Sequence, residues 1–219
     1  MKYFGIVDRR MEEYIEGLVP RAEGVQADME AHAEREGVPV ISRSQGHFLY
    51  TLALATKAKA MLDVGTAIGY SALWLARAAQ QSEGRVVTIE KDAARANWAE
   101  AYMRQAGLSG VCAVRRGDAL VLMKGMEENF DFIFLDVLTQ FDKPETALAM
   151  LDLCVKRLKP GGVLLSDNAL RSAQVLEPER YSASTQGIAA FNKAISTHPR
   201  LVSSIIPMRD GISMSVKIG

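Results

Sequence analysis

The chain has 219 residues, of which 48% are hydrophobic and 24% charged, a composition typical of a globular protein with one sizeable core. Lysine plus arginine number 26 and aspartate plus glutamate also number 26, so the net charge is zero, which argues against a protein built mainly to hold a nucleic-acid backbone. No apolar run approaches the roughly 20 residues of a membrane helix, and residues 1–10 lack the apolar region of a signal peptide. Cys112 and Cys154 lack metal-ligand spacing, so we expect buried thiols in a cytoplasmic protein.

Three helices are predicted before the first strand. Apolar periodicity indicates a helix over residues 8–19 and another over 22–36, and Ser42 or Ser44 is expected to cap a third that runs to about Thr56. The first of these places Tyr14, Ile15, Leu18 and Val19 on one face. We therefore expect residues 1–57 to form a helical cap and residues 58–219 to form the core of a single domain, 1–219.

The core is predicted to alternate strands and helices. The predicted strands cover residues 60–64, 85–89, 111–115, 130–135 and 163–166, followed by a helix over 185–197 and two strands over 201–207 and 212–218. Alternation of strands and helices implies a mostly parallel sheet covered on both faces. The last two strands are joined by four residues, which requires an antiparallel hairpin. We predict a Rossmann-like α/β fold of seven strands, mostly parallel, with an antiparallel C-terminal hairpin strand.

A glycine turn follows the first predicted strand. Asp63 is followed by Gly65 and Gly69, and a helical pattern begins at Tyr70. A dinucleotide site needs a further glycine where Ala67 stands, so that the backbone can approach a pyrophosphate, and this disfavours a nicotinamide cofactor. An acid beside the turn suits a cofactor that carries positive charge and no phosphate, as S-adenosylmethionine does. A generic strand–turn–helix stays open as the alternative.

Polar side chains also end the later strands. Glu90 ends the second strand, where an acid accepts hydrogen bonds from the ribose hydroxyls of an adenosine cofactor. Asp118, before Ala119, is placed either to reach the adenine amine or to cap a following helix.

A second polar group ends the fourth and fifth strands. Asp136 follows the fourth strand, and Asp167 and Asn168 follow the fifth. Two carboxylates and an amide oxygen are hard ligands that suit Mg²⁺ or Ca²⁺. The alternative is that Asp167 and Asn168 are only a polar turn and that Asp136 binds only the cofactor.

The ordered motifs of the chain resemble the cation-dependent O-methyltransferases, the family of catechol and caffeoyl-coenzyme A O-methyltransferases. They include VPVISRSQGHFL, LDVGTAIGYSALWLA, VVTIEKD, RRGDAL, FDFIFLD, LKPGGVLLSDNAL, FNKAI and MRDGISMSVKI. The resemblance implies a class I methyltransferase fold, a homodimer, and a metal site formed by Asp136, Asp167 and Asn168. The predicted S-adenosylmethionine site combines the residues implied by the resemblance with the turn and strand-end residues: Val40, Asp63, Gly65, Thr66, Gly69, Tyr70, Ser71, Glu90, Asp118, Ala119 and Asp136.

The chain departs from the family at two places. Family members usually follow the metal aspartate with Ala-Asp-Lys, whereas Leu138 and Thr139 stand here in place of the second aspartate and the lysine that often acts as general base. Lys143, four positions later, is the candidate replacement. The aromatic residue that the family often has near the substrate is replaced by Leu170-Arg171. The acceptor pocket is therefore expected to be non-standard.

We predict an S-adenosylmethionine-dependent, Mg²⁺-dependent O-methyltransferase of a small catechol-like acceptor, without membrane partners. One alternative is methylation of a tRNA wobble hydroxyuridine, with Arg115-Arg116 and the cluster of Lys156, Arg157 and Lys159 contacting phosphate. Another is a protein that binds S-adenosylmethionine without catalysis. The histidines are scattered, with His32 and His198 expected at the surface and His47 near the cofactor.

Overall fold

The computed structural model describes residues 7–219. Residues 1–6, which carry part of the predicted cap and of the stretch expected to lack a signal peptide, lie outside the described residues. The chain forms two compact units, one comprising Glu13–Leu122 and the other comprising Met123–Gly219 with the described residues up to Glu12. We call them the first and the second unit.

Eight α-helices and seven strands make up the described chain. The helices are α1 (Arg9–Leu18), α2 (Val25–Glu36), α3 (Arg43–Ala55), α4 (Tyr70–Gln81), α5 (Ala93–Gln105), α6 (Ala119–Gly125), α7 (Pro144–Arg157) and α8 (Ala183–Thr197). The strands are β1 (Ala60–Val64), β2 (Arg85–Glu90), β3 (Cys112–Arg116), β4 (Phe130–Leu135), β5 (Leu158–Ser166), β6 (Leu201–Ile206) and β7 (Ile212–Lys217). Each predicted element is present, with ends that differ by a few residues.

In the first unit the strands pair in parallel in the order β3-β2-β1. All residues of β1 are buried, as expected for a parallel strand covered on both faces. Parallel pairing brings the carboxyl ends of the three strands to one edge, so the polar residues predicted at those ends lie at the same edge of the sheet.

In the second unit the strand order is β4-β5-β7-β6. Strands β4 and β5 are parallel, whereas β7 is antiparallel to both β5 and β6. The predicted α/β fold of seven strands, mostly parallel and ending in an antiparallel hairpin, is confirmed. Strand β5 begins at Leu158, five residues earlier than predicted, because Leu158 already pairs with Phe130 before the register shifts around the Pro160–Gly162 segment.

Local signals of the sequence explain the helix starts. Ser42 caps α3 through a capping box, in which its hydroxyl accepts a hydrogen bond from the Gln45 amide and the Gln45 side chain accepts one from the Ser42 amide. Asp92 caps α5 by accepting a hydrogen bond from the Arg95 amide at 2.9 Å. Cys112 and Cys154 are buried as predicted, and burial raises the pKa of each thiol to about 12.

One surface prediction was wrong. His32 is only 6% exposed, because α2 packs it against α5. Its Nδ1 lies 2.8 Å from the Tyr102 hydroxyl, and its ring meets the Trp98 ring edge-on with centroids 4.6 Å apart. A histidine between two aromatic rings is a packing residue of the first unit. Within residues 7–219, no helix has both the length and the apolar character required to cross a membrane.

Candidate active site

The glycine turn between β1 and α4 is held against β2. The amides of Gly65 and Thr66 both donate to the Ile89 carbonyl at 3.1 Å. Gly65, Ala67 and Gly69 have positive φ angles of 104°, 47° and 92°, so the turn is left-handed at three of its five residues. A side chain at Gly69 would also place its Cβ 3.2 Å from that of Ala99, so this position requires glycine.

Asp63, in β1 two residues before the turn, is fully buried. Its carboxylate accepts hydrogen bonds from the Thr88 hydroxyl at 2.6 Å and from the Ser71 hydroxyl at 3.1 Å. Thr88 is its register partner on β2, and the Thr66 hydroxyl is hydrogen-bonded to that of Thr88. Burial, with a smaller contribution from the charge of Glu90, raises the pKa of Asp63 to about 7 despite these bonds.

Glu90 ties the turn to the end of β2. It is only 7% exposed, and its two carboxylate oxygens accept hydrogen bonds from the Ala67 amide at 2.8 Å and from the Asp92 amide at 2.9 Å. The bond to Ala67 was not foreseen from the sequence, because it depends on the left-handed conformation of an alanine. Each carboxylate oxygen has a second lone pair that can accept from a ligand hydroxyl.

The other predicted cofactor residues of the first unit differ in their hydrogen bonds and in their exposure. Asp118 caps α6, accepting a hydrogen bond from the Val121 amide at 3.0 Å, so the helix-cap alternative is realised. The Tyr70 hydroxyl is hydrogen-bonded to Gln26 and Glu30 of α2. Only the backbone of Tyr70, at the start of α4, is then left to contact a cofactor. Val40 and Ala119 are both partly accessible, in the α2–α3 connection and at the start of α6.

The predicted metal ligands lie together in the second unit. Leu135 and Ser166 are register partners in the parallel pair β4·β5, so Asp136 and Asp167 follow the two strands at matching positions. The Asp167 amide donates to the Leu135 carbonyl at 3.0 Å, and Asp167 is 5% exposed. Asn168 turns the chain with φ at 60°, a left-handed conformation that asparagine tolerates.

The residues after Asp136 form a short 3-10 turn, Leu138–Gln140. Leu138 is 1% exposed and belongs to the core, whereas Thr139 is partly accessible. Lys143, the predicted replacement base, is exposed at the start of α7. Within residues 7–219 no cluster of three or more His, Cys, Asp or Glu side chains is arranged to hold a metal ion. The predicted set contains two carboxylates and an amide.

The segment that follows Asn168 contains features that sequence reasoning missed. Arg171, Ser172 and Ala173 have consecutive positive φ angles of 45°, 50° and 63°. Asp210 in the β6–β7 connection holds this turn, because its carboxylate accepts from the Ser172 amide and its carbonyl accepts from the Leu170 amide. Burial raises the pKa of Asp210. No sequence signal marks these residues, since the contact joins segments almost 40 positions apart.

The basic residues considered for phosphate binding are largely engaged elsewhere. Arg116 pairs with Glu100 at 2.8 Å, and Lys159 pairs with Asp131 at 2.8 Å. Arg157 is 8% exposed and its guanidinium points to the carbonyls of Met123 and Lys124. The charges of Arg116, Lys159 and Arg157 are therefore each engaged by groups of the protein itself.

Several known proteins resemble this chain in sequence. A sequence model of the O-methyltransferase family matches residues 27–218. A catechol O-methyltransferase of Niastella koreensis is 31% identical over 191 residues, covering 82% of this chain and 84% of the relative. The catechol O-methyltransferase domain-containing protein 1 of Mus musculus is 34% identical over 188 residues, covering 84% of this chain and 70% of the relative.

A solved structure extends the agreement to the fold. The O-methyltransferase of Bacillus cereus, determined in complex with S-adenosylhomocysteine (SAH), superposes with a TM-score of 0.83 at 29% identity, covering 95% of this chain and 97% of that one. The glycine turn, the acid at the end of β2 and the strand-end carboxylates thus occur in a chain that the family model matches over residues 27–218 and whose fold matches a solved O-methyltransferase over 95% of its length. The chain belongs to the O-methyltransferase family and is an S-adenosylmethionine-dependent O-methyltransferase.

Proposed function

We propose that this enzyme methylates a hydroxyl group of a small catechol-like aromatic molecule and that a divalent cation, Mg²⁺, assists the reaction. The observation that carries the proposal is the matched position of Asp136 and Asp167 at the ends of paired strands, with Asn168 in a left-handed turn beside them. The catechol O-methyltransferases among the relatives support the acceptor class.

The donor set fits such a cation. Two carboxylates and an amide carbonyl are hard oxygen ligands of the kind that Mg²⁺ prefers. Asp136, Asp167 and Asn168 would hold the ion. When bound, Mg²⁺ lowers the pKa of a hydroxyl group that it contacts, which favours the phenolate at neutral pH.

The first unit would hold the cofactor. Glu90 is proposed to accept hydrogen bonds from the ribose hydroxyls with the lone pairs that its backbone bonds leave free. The buried Asp63 would orient Ser71 and the turn, while Val40, Thr66 and Tyr70 would contribute backbone groups. Asp118, whose Oδ1 accepts the hydrogen bond of the helix cap, and Ala119 would face the adenine.

Methyl transfer requires mainly that the protein hold the two substrates in the correct relative position. The acceptor oxygen displaces the sulfonium from the methyl carbon in one step, so alignment of the two substrates supplies most of the rate enhancement. We propose that Lys143, in its neutral amine form, accepts the proton that leaves the hydroxyl group of the acceptor, because Thr139 offers no base. An acidic phenol needs little help from a base, which favours an aromatic hydroxyl over an alkyl alcohol.

We also propose that residues 1–219 act as one methyltransferase domain and that the enzyme is a homodimer. Helix α1 exposes a continuous apolar stripe at i, i+3, i+4 and i+7, with Met11 51%, Tyr14 62%, Ile15 42% and Leu18 67% exposed. A stripe of this kind on a surface helix is typical of a protein–protein contact, and a second copy is the proposed occupant. Analytical ultracentrifugation measures the mass of each protein in solution. We expect a dimer for the wild type and a monomer for Leu18→Glu.

The reaction is tested by transfer of labelled methyl from S-adenosylmethionine to a panel of catechols, with Mg²⁺ and with EDTA. We expect transfer that EDTA abolishes. Asp136→Asn should lower kcat/KM by at least about 100-fold, since cation assistance is worth several kcal/mol. Asp152→Asn, at an exposed aspartate on α7, is the matched control. Full turnover by Asp136→Asn would exclude the cation from the mechanism.

A further inference from the structure

Five buried side-chain atoms of the second unit have no hydrogen-bond partner within residues 7–219, and three of them belong to neighbouring elements, β5, β7 and α8. These three are the hydroxyl oxygens of Ser166 and Ser213 and the side-chain oxygen Oδ1 of Asn192. Both serines are 0% exposed. Buried hydroxyl and amide oxygens without a partner are rare and costly in folded proteins, so each one calls for a physical explanation.

The two serines lie on one face of the sheet. Ser166 of β5 and Ser213 of β7 are directly opposed in an antiparallel pair, so their side chains are neighbours on the same face. One step along, Ser215 is opposed to Ser203, and there the hydroxyls lie 2.7 Å apart while Ser203 also donates to the Ile195 carbonyl of α8 at 2.8 Å. Helix α8 therefore covers this face.

Ser213 has no hydroxyl group opposite it on β6, whereas Ser215 has that of Ser203. The residue opposed to Ser213 on β6 is Ile205, whose hydrocarbon cannot replace the hydroxyl of Ser203. Asn192 lies on α8 about one turn before Ile195. Strand β6 follows α8 and runs in the opposite direction. Asn192, which comes before Ile195 in α8, is therefore displaced from Ser215 towards Ser213 and Ser166.

We propose that one internal water molecule bridges the hydroxyls of Ser166 and Ser213 and Oδ1 of Asn192. A buried water makes about three hydrogen bonds to groups that would otherwise be unsatisfied, which matches the number and the polar character of these atoms. Both hydroxyls can donate or accept, and the amide oxygen accepts, so a single water can satisfy all three.

The same asparagine holds the turn that carries the proposed cation ligands. Its Nδ2 donates to the Ala169 carbonyl at 2.6 Å, and the Ala169 amide donates to the Gly211 carbonyl at 2.9 Å. Asp167 and Asn168 thus lie between Ser166, bound to the water, and Ala169, bound to Asn192. Asn192 is a positioning residue for these ligands, an assignment that rests on the proposed cation site, whereas the water does not.

The water is tested by the sign of a stability change. If a water bridges the cluster, Ser213→Ala removes a satisfied hydroxyl and lowers the midpoint of thermal unfolding. If the cluster is dry, the same substitution removes an unsatisfied group, and the midpoint stays unchanged or rises, which would overturn the proposal. Ser204→Ala, at an exposed serine of β6, is the matched control and should leave the midpoint unchanged.

The positioning role is tested with Asn192→Leu, which keeps the side-chain volume but removes the donor, and with Asn192→Ala should that variant not fold. We expect the Kd for Mn²⁺, followed by electron paramagnetic resonance, to rise about 10-fold or more, as when outer contacts of metal ligands are removed. The affinity for S-adenosylmethionine, measured by calorimetry, should stay unchanged. Unchanged Mn²⁺ affinity in a destabilised variant would overturn the role. A wild type that binds no Mn²⁺ would overturn the cation site and this role together, while Ser213→Ala still decides the water.

Discussion

The buried carboxyl of Asp63 should make the stability of the enzyme fall as the pH rises from 4 to 7. Its pKa is about 7 in the folded chain, because burial disfavours the charged form, and 3.8 is its ordinary value. Between these values the folded state keeps a proton that the unfolded state has released. The free energy of unfolding therefore falls with increasing pH across this window and is independent of Asp63 above it.

The size of the effect follows from the pKa difference. One pKa unit corresponds to about 1.4 kcal/mol, so between pH 5 and pH 8, where the titration of folded Asp63 is nearly complete, its contribution to the free energy of unfolding falls by about 3 kcal/mol. Asp63→Asn removes the titrating group and keeps an oxygen that can accept from Thr88 or Ser71. The variant should therefore lose this part of the pH dependence.

Urea unfolding of wild type and Asp63→Asn at pH 5 and at pH 8 measures the difference. The fall in the free energy of unfolding between the two pH values should be smaller in Asp63→Asn by about 3 kcal/mol. Asp152→Asn, at the exposed aspartate of α7, should retain the wild-type pH dependence. An equal fall in wild type and Asp63→Asn would refute the reasoning, because Asp63 would then already be charged below neutral pH.

Two further substitutions test the first unit. Glu90→Gln should weaken S-adenosylmethionine binding by about 10-fold or more in calorimetry, because it removes charge-assisted hydrogen bonds at the turn. The control is Glu100→Gln, at a partly exposed glutamate that pairs with Arg116. Equal affinities of the two variants would exclude the ribose role. Gly46→Ala would place a Cβ against the indole ring of the buried Trp74, so overpacking should lower the free energy of unfolding by about 1–3 kcal/mol. Gly17→Ala in α1 meets nothing within 4 Å and should stabilise slightly, by about 0.5–1 kcal/mol; a similar effect of both substitutions would contradict this packing argument.

The order of helices and strands could be predicted from the sequence because its signals are local. The capping serine of α3, the buried runs of β1 and β4 and the short connection of the C-terminal hairpin each act within a few residues. Local signals also predicted that Asp136 and Asp167 follow the ends of strands. Parallel pairing of neighbouring strands brings such ends together.

Only the tertiary structure decided what these residues contact. It made Asp118 a helix cap, placed His32 between two rings instead of at the surface, and left the apolar stripe of α1 exposed. It also joined Asn192 to Ala169 and opposed Ser166 to Ser213, residues that lie 23 and 47 positions apart. Contacts at such separations depend on how strands and helices pack across the chain, and no periodicity or turn signal within a short window records that packing.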